Sequence, residues 1–295
     1  MTKIIDGKKI AKDFREELKV RTQKLFEERG VRPGLAVLQA GDNPASESYV
    51  RGKIKACDEI GFKSVMEHLP ANVSEDEVIG LVKKWNNDPT IHGILVQLPL
   101  PDHIDETKVL LTIRPDKDVD GFHPENIGRL VIGLPGFLPC TPAGILELIK
   151  VSGIELKGKH VVVVGRSNIV GKPIANMLYQ KNEYANAVVT ICHTGAKDIS
   201  KYTRQADVLI VAAGVAEVIG ANDVKDGVAV IDVGINRVED ASRERGYRLT
   251  GDVNFDEVSR KASAITPVPG GVGPMTIAML MTNTFKSALE KSEKK

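Results

Sequence analysis

The sequence predicts an α/β protein of two domains, and three observations carry that prediction. A chain of 295 residues is long enough to close two separate cores. Strand-like and helix-like segments alternate along almost all of it, in two series, and such alternation calls for parallel sheets covered by helices. Within the second series a run of valines passes through a glycine turn into a helix (HVVVVGRSNIVGKP, 160–173), the pattern of a Rossmann-like phosphate site.

The first series opens with an amphipathic helix over 7–29. A strand follows at 35–39 (LAVLQ) and then a helix over 46–61, started by Ser46 and stopped by Gly61. Next come a strand at 63–68 and a helix opened by Ser74, with Glu77 completing a capping box, that runs to Trp85. A buried-looking strand at 93–98 (GILVQL) ends the series at Pro99 and Pro101. Residues 99–141 read as a long loop rich in proline, glycine and aspartate, a length that points to function. The second series begins at Pro142, which suits a first helical position after Thr141, and that helix closes near Gly153. Strands are expected at 160–164, 188–193, 207–211, 228–232 and, briefly, 262–265. Residues 237–248 mix both charges and read as a solvated turn or hairpin. Pro274 opens a last helix to about residue 290, followed by a fraying tail.

Composition narrows the function. Hydrophobic content of 42%, charge of 27% and a net charge of +1 suit a globular protein and argue against nucleic-acid binding. The first ten residues lack the apolar stretch of a secretory signal, and no run reaches the roughly 18 apolar residues of a membrane span. The three cysteines are odd in number and far apart. They suggest reduced thiols in a cytoplasmic protein, with neither a disulfide nor a zinc pattern.

Several residues stand out chemically. On the 46–61 helix, Arg51, Lys55 and Asp58 share the wet face. Lys53 falls opposite, among Tyr49, Val50, Cys57 and Ile60. A lysine there either snorkels out beside the tyrosine ring or is held neutral by desolvation and serves as a base. Gln97 interrupts an apolar strand, so its amide bonds either backbone or a ligand. The loop 116–121 (DKDVDG) brings three acids together. It lacks the further oxygens of a calcium site, and a carboxylate pair suits the N–H edge of an amino-pyrimidine. In the glycine turn, Gly165 and Gly171 depart from G-x-G-x-x-G spacing. No carboxylate ends the next strand (ICHTG, 191–195), whereas Arg166 and Thr194 suit a 2′-phosphate, so NADP is favoured over NAD. Strand ends at 212–214 and 232–235 carry glycines that leave room for a ligand. The segment 265–274 (ITPVPGGVGP) lets backbone approach one closely.

Together these motifs resemble one family, the bifunctional methylenetetrahydrofolate dehydrogenase/methenyltetrahydrofolate cyclohydrolase. They are Tyr49-x-x-x-Lys53, VQLPLP at 96–101, KDVDG at 117–121, GRS-x-x-VG-x-P at 165–173 and PGGVGP at 269–274. The likeness spans essentially the whole chain, although 180–187 is longer than in many members. It implies an N-terminal α/β catalytic domain over 1–141 and a Rossmann-like parallel-sheet NADP domain over 142–273, with a cleft between them. The helix 274–295 would pack back on the first domain. The resemblance further implies a homodimer acting on tetrahydrofolate substrates, with no metal, and a span too short for a fused formyl-tetrahydrofolate synthetase. Lys53 would be the cyclohydrolase acid/base residue, with Tyr49 and Gln97 beside it and Asp120 holding the pterin. Leu98, Pro269, Gly270 and Gly271 would line the folate site. Gly165, Arg166, Ser167, Thr194 and Ile235 would contact NADP. Lys53 and Tyr49 argue against a monofunctional dehydrogenase of the same family. A shikimate-dehydrogenase-like enzyme would leave Asp118, Asp120 and the 265–274 segment unexplained, and a non-catalytic dinucleotide sensor would leave the buried lysine without a task.

Overall fold

The computed structural model describes residues 2–243 and 246–293. Its elements begin with β1 (Lys3–Ile4), α1 (Gly7–Arg29), β2 (Gly34–Ala40), α2 (Pro44–Ile60), β3 (Lys63–Leu69) and α3 (Glu75–Asn87). Then come β4 (Gly93–Val96), α4 (Glu106–Thr112), α5 (Pro124–Val131), α6 (Cys140–Val151), β5 (His160–Val164), α7 (Gly171–Leu178) and β6 (Val188–Cys192). The chain closes with α8 (Ser200–Thr203), β7 (Val208–Val211), β8 (Ala229–Asp232), β9 (Asn236–Glu239), β10 (Tyr247–Thr250), α9 (Phe255–Val258), β11 (Ala264–Ile265) and α10 (Val272–Glu293). Two compact units emerge, one of Met1–Ala11 with Thr141–Thr276 and one of Lys12–Cys140 with Ile277–Lys295. The expected 1–141 division differs over the first eleven residues. Lys3 and Ile4 pair in parallel with Ala264 and Ile265, and the Lys8 N–H donates to the Gly270 carbonyl at 3.0 Å. A strand of two residues carries no readable period.

The second unit is built on a parallel three-stranded sheet in the order β3-β2-β4. All seven residues of the central β2 are buried, as a strand covered on both faces requires. Leu38, Val78, Val82, Trp85, Ile94 and Val109 form the heart of its core. Ser74 and Glu77 make the expected reciprocal cap on α3. The Lys53 helix starts earlier than Ser46: Pro44 opens it, and the Asn43 side chain accepts from the Ser46 N–H at 3.3 Å. The supposed loop 99–141 contains two short helices. Asp105 caps α4, accepting from the Lys108 N–H, and His123 with Pro124 starts α5. Each buries only one or two side chains, too few to show a helical period in sequence.

Within the same unit, the later part of α10 ties down backbone that no sheet holds. Asn283 Nδ2 donates to the carbonyls of Val119 and Leu138, both at 2.9 Å. Ser287 Oγ lies within hydrogen-bond reach of the His92 and Asp116 carbonyls, at 2.7 and 3.0 Å.

The first unit is a parallel six-stranded sheet in the order β1-β11-β8-β7-β5-β6. The chain steps from β5 outward to β6 and then returns to β7 on the other side of β5. Strand order therefore reverses between β5 and β7, where open α/β sheets bind ligands at their carboxyl ends. The valines of β5 are buried with Leu209, Val211, Val230 and Ile265. Residues 237–248 form most of the antiparallel hairpin β9–β10, and 244–245 of that stretch lie outside the described residues, as do 294–295 of the expected tail. The helices α6 and α10 each begin two residues before the prolines that signalled them.

Replacing Asn283 by Ala takes the amide donor from the Leu138 carbonyl and leaves the Val119 carbonyl only the Cys140 thiol, and the expected loss is about 1–3 kcal/mol. A urea titration followed on the three-stranded unit should show a lower midpoint with an unchanged slope. A midpoint equal to the parent's would mean these two bonds do not hold the loop.

Candidate active site

The three-stranded unit assembles one chemical centre around Lys53. On α2, Val50, Cys57 and Ile60 are buried while Arg51, Lys55 and Asp58 are exposed, so the face carrying Lys53 turns inward. Lys53 itself is only 9% exposed. Its Nζ donates to Gln97 Oε1 at 2.9 Å. Gln97 lies just past β4. Its backbone N–H donates to Leu38 O at 2.8 Å, and its Nε2 donates to Leu98 O at 2.7 Å. The amide is thus held at both ends, and the oxygen is left facing the lysine. Burial lowers the Lys53 pKa below the ordinary lysine value, against an upward pull from Asp120. Burial likewise raises the Asp120 carboxyl, against the pull of Lys53. Both shifts favour uncharged forms, so desolvation outweighs the attraction between the pair. Tyr49 sits one turn before Lys53, is 40% exposed and has its hydroxyl pKa raised by burial. Leu98 is partly buried, and the Leu98–Pro99 peptide bond is cis.

The five residues 117–121 divide their labour. Lys117 Nζ donates to the carbonyls of Trp85 and Asp88 at the end of α3, at 2.8 and 2.7 Å. Asp118 accepts from the N–H groups of Gly121 and His123 and from Asn126 Nδ2. Val119 packs where a side chain on Gly93 would run into it. Gly121 takes φ +80°, a conformation that favours glycine, against the backbone of Leu138 and Pro139. Only Asp120 is left turned toward Lys53. The carboxylate-pair reading of this loop is thereby corrected: Asp116 pairs with Arg114 and Lys291, Asp118 is committed to the loop, and one acid remains. Cys140 is a site residue that the sequence reading missed. Its thiol donates to Val119 O at 3.2 Å, and burial together with Asp120 pushes its pKa well above the usual value.

The six-stranded unit assembles a second centre at its topological switch point. Gly165 ends β5 with φ +121°, and a side chain there would run into the Ala212 carbonyl. Gly171 opens α7 against the Gly165 carbonyl. Ser167 Oγ accepts from the N–H groups of Val170 and Gly171 at 3.1 and 3.3 Å, shaping the turn. Arg166 is exposed, and among the described residues no hydrogen bond or ion pair occupies its guanidinium. Thr194 is exposed in a turn held by the Gly195 N–H donating to His193 Nδ1 at 3.0 Å. Ile235, 43% exposed, follows β8. Pro269 is exposed, while Gly270 and Gly271 are buried and their backbone meets Gly7 closely. Those glycines are thus already explained by packing within the unit. Asp232 and Asp252, both buried behind the strand ends, were not singled out from the sequence. Each follows a β-strand pattern and precedes or follows a glycine, a weak signal that many turns share.

The structure brings Lys53, Gln97 and Asp120 together, with Tyr49 and Leu98 adjoining. Separately, it gathers Gly165, Arg166 and Ser167 after β5, with Thr194 after the adjacent β6 and Ile235 after β8, two strands away on the other side. Comparison with known proteins bears on both centres. Residues 5–120 match the catalytic domain of tetrahydrofolate dehydrogenase/cyclohydrolase, and residues 139–292 match its NAD(P)-binding domain. A protein of Syntrophobacter fumaroxidans named "Bifunctional protein FolD" is 55% identical over 285 residues, covering 97% of this chain and 96% of that protein. The crystal structure of the FolD methylenetetrahydrofolate dehydrogenase/cyclohydrolase of Campylobacter jejuni is 52% identical with a TM-score of 0.92, over 98% of this chain and 99% of that one. The Trypanosoma brucei enzyme, solved with NADP cofactor and inhibitor, is 40% identical with a TM-score of 0.93, over 98% of each chain. With both domain models matched in order and relatives this similar over nearly the full length, the chain belongs to the tetrahydrofolate dehydrogenase/cyclohydrolase family.

Proposed function

We propose that this chain is a bifunctional enzyme of one-carbon metabolism. It oxidises 5,10-methylenetetrahydrofolate to the 5,10-methenyl cation with NADP and hydrolyses that cation to 10-formyltetrahydrofolate. The observation that carries the reading is the buried Lys53 amine, hydrogen-bonded to Gln97 with its pKa lowered. Water attacking the methenyl carbon gives up both protons on becoming the formyl oxygen, and the ring nitrogen that leaves gains one. A neutral amine accepts the first and, as an ammonium, delivers it to the nitrogen, while the second passes to solvent as the one proton that hydrolysis of the cation releases. Gln97 orients the amine through its fixed amide oxygen. Asp120 takes the pterin N–H donors, with Tyr49 and Leu98 lining the folate.

The cofactor side fits NADP on three grounds. Gly165 and Gly171 let the backbone turn tightly from β5 into the start of α7, and the positive end of that helix is a natural seat for a diphosphate. Arg166 and Thr194 offer an exposed cation and hydroxyl for a 2′-phosphate, and no acid ends β6 to favour a free ribose. Ser167 keeps its hydroxyl proton for a phosphate oxygen, and Ile235 offers an apolar surface to the nicotinamide. When bound, NADP supplies the hydride acceptor. The protein's part is to hold the reacting carbons in register. The same reading carries a homodimer in the cytoplasm, and three buried free thiols suit that reducing setting.

Three measurements test the reading. In Lys53→Met, which keeps much of the length and apolar bulk, hydrolysis of methenyltetrahydrofolate is expected to be almost abolished while NADP reduction persists. The methenyl compound should then accumulate, visible by its absorbance. Near-parental hydrolysis in a folded variant would make Lys53 a packing residue. In Asp120→Asn, folate affinity and both activities should fall together. Normal folate binding with lost stability alone would assign Asp120 to the loop. In Arg166→Ala, efficiency with NADP should drop by roughly ten- to a hundredfold, the equivalent of one charge-assisted contact, with little change for NAD. Equal use of both cofactors by the parent would reject the NADP assignment.

A further inference from the structure

Two carboxylates lie buried behind the strand ends of the six-stranded sheet, and no part of the chemistry above uses them. Asp232, the last residue of β8, accepts from the N–H groups of Gly234, Asp252 and Val253, each at 3.0 Å. Asp252, two residues past β10, accepts through Oδ2 from the N–H groups of Ala213 and Gly214 at 2.7 and 2.9 Å. Its Oδ1 accepts from Asn236 Nδ2 at 2.8 Å. Asp252 is fully buried and Asp232 is 3% exposed. The fit is reciprocal: a side chain on Gly234 would run into the Asp252 carboxyl, and one on Gly251 would run into that of Asp232. The Thr266 hydroxyl accepts from the Asp232 N–H at 2.8 Å, extending the network to β11.

These acids accept only N–H bonds from backbone and one amide, with no lysine or arginine among those partners. Burial, with the neighbouring Asp252 adding to it, pushes Asp232 up to about 7. An apolar residue at either place would strand the backbone N–H groups that now bond to these acids, so each acid holds particular loop backbone in place. What carboxylates provide is direction. Asp252 holds the backbone after β7 and the side chain after Ile235 at once, fixing the spacing of two adjacent strand-end loops.

We propose that Asp252, backed by Asp232, is a positioning residue for the NADP-dependent step, clamping the loops 212–214 and 233–236 over which the cofactor lies. This rests on the NADP reading given above. In Asp252→Asn, one side-chain oxygen can still accept from Ala213 and Gly214, but the charge that strengthened these bonds is gone, and the new amide pairs with Asn236 only if that side chain turns its own oxygen inward.

The test compares the parent with Asp252→Asn, Asn236→Ala and the double variant Asp252→Asn/Asn236→Asp, which restores a donor–acceptor pair. Two rates are measured, NADP-dependent oxidation of methylenetetrahydrofolate and hydrolysis of supplied methenyltetrahydrofolate without NADP. For Asp252→Asn, the expected outcome is a loss of at least about tenfold in kcat/KM for NADP, with hydrolysis within about twofold of the parent. The double variant should recover most of the loss. Parental oxidation kinetics in Asp252→Asn would overturn the proposal. So would an equal loss of both rates that the double variant does not repair, which marks a purely structural role. If Asp252→Asn does not fold, unchanged NADP kinetics in Asn236→Ala overturn it, and a raised KM for NADP with intact hydrolysis supports it. A parent that hydrolyses the methenyl compound but cannot use NADP would overturn the cofactor reading itself, and this inference with it.

Discussion

The hydrogen bond from Lys53 to Gln97 makes demands on most of the three-stranded unit. Removing a lysine nitrogen from water costs several kcal/mol if it stays charged, and one charge-assisted hydrogen bond returns only about 1.5–3 kcal/mol. The remainder is met by letting the amine lose its proton more readily and by a nearby acid. Each partner must therefore be aimed. β4 ends at Val96 so that Gln97 can turn its oxygen to the lysine while its nitrogen stays on the backbone. Asp120 reaches the same place only because Lys117, Asp118 and Asn283 hold the flanking backbone.

The other unit solves its problem with almost no side chains. Its turn between β5 and α7 depends on two glycines at positions where any larger residue would meet carbonyl oxygen. The groups that would recognise a ligand there stay exposed and uncommitted, as Arg166 and Thr194 do. One centre is desolvated and tuned by burial, while the other remains open and works through backbone direction.

Much of this was legible in the sequence because its signals are local. The lysine on an apolar helical stripe, the capping box of Ser74 and Glu77 and the valine run into a glycine turn are each complete within a dozen residues. What escaped depends on distance along the chain or on shortness. Cys140 meets Asp120 only in the folded loop, and Asp232 and Asp252 acquire a purpose only when three strand ends converge. The helices α4 and α5 bury too little to imprint a period, although Asp105 and Pro124 mark their starts. The Asp116–Asp118–Asp120 run shows the opposite hazard. Three acids equal in sequence have three different partners, and spacing alone does not reveal which one remains available.

The two carbonyls that Asn283 ties down precede it by 164 and 145 residues. During synthesis the loop carrying Asp120 is therefore made long before the helix that secures it. Closing so wide a span costs little more entropy than closing a moderate one, but it cannot happen until the late segment exists. A growing chain can complete the β3-β2-β4 sheet and the later six-stranded sheet in turn, while the acid beside Lys53 still lacks its anchor. Competence to handle folate is thus withheld from the nascent polypeptide until α10 has been made, and a product terminated before that helix would carry the lysine and the acidic loop without the anchor that holds the loop in place.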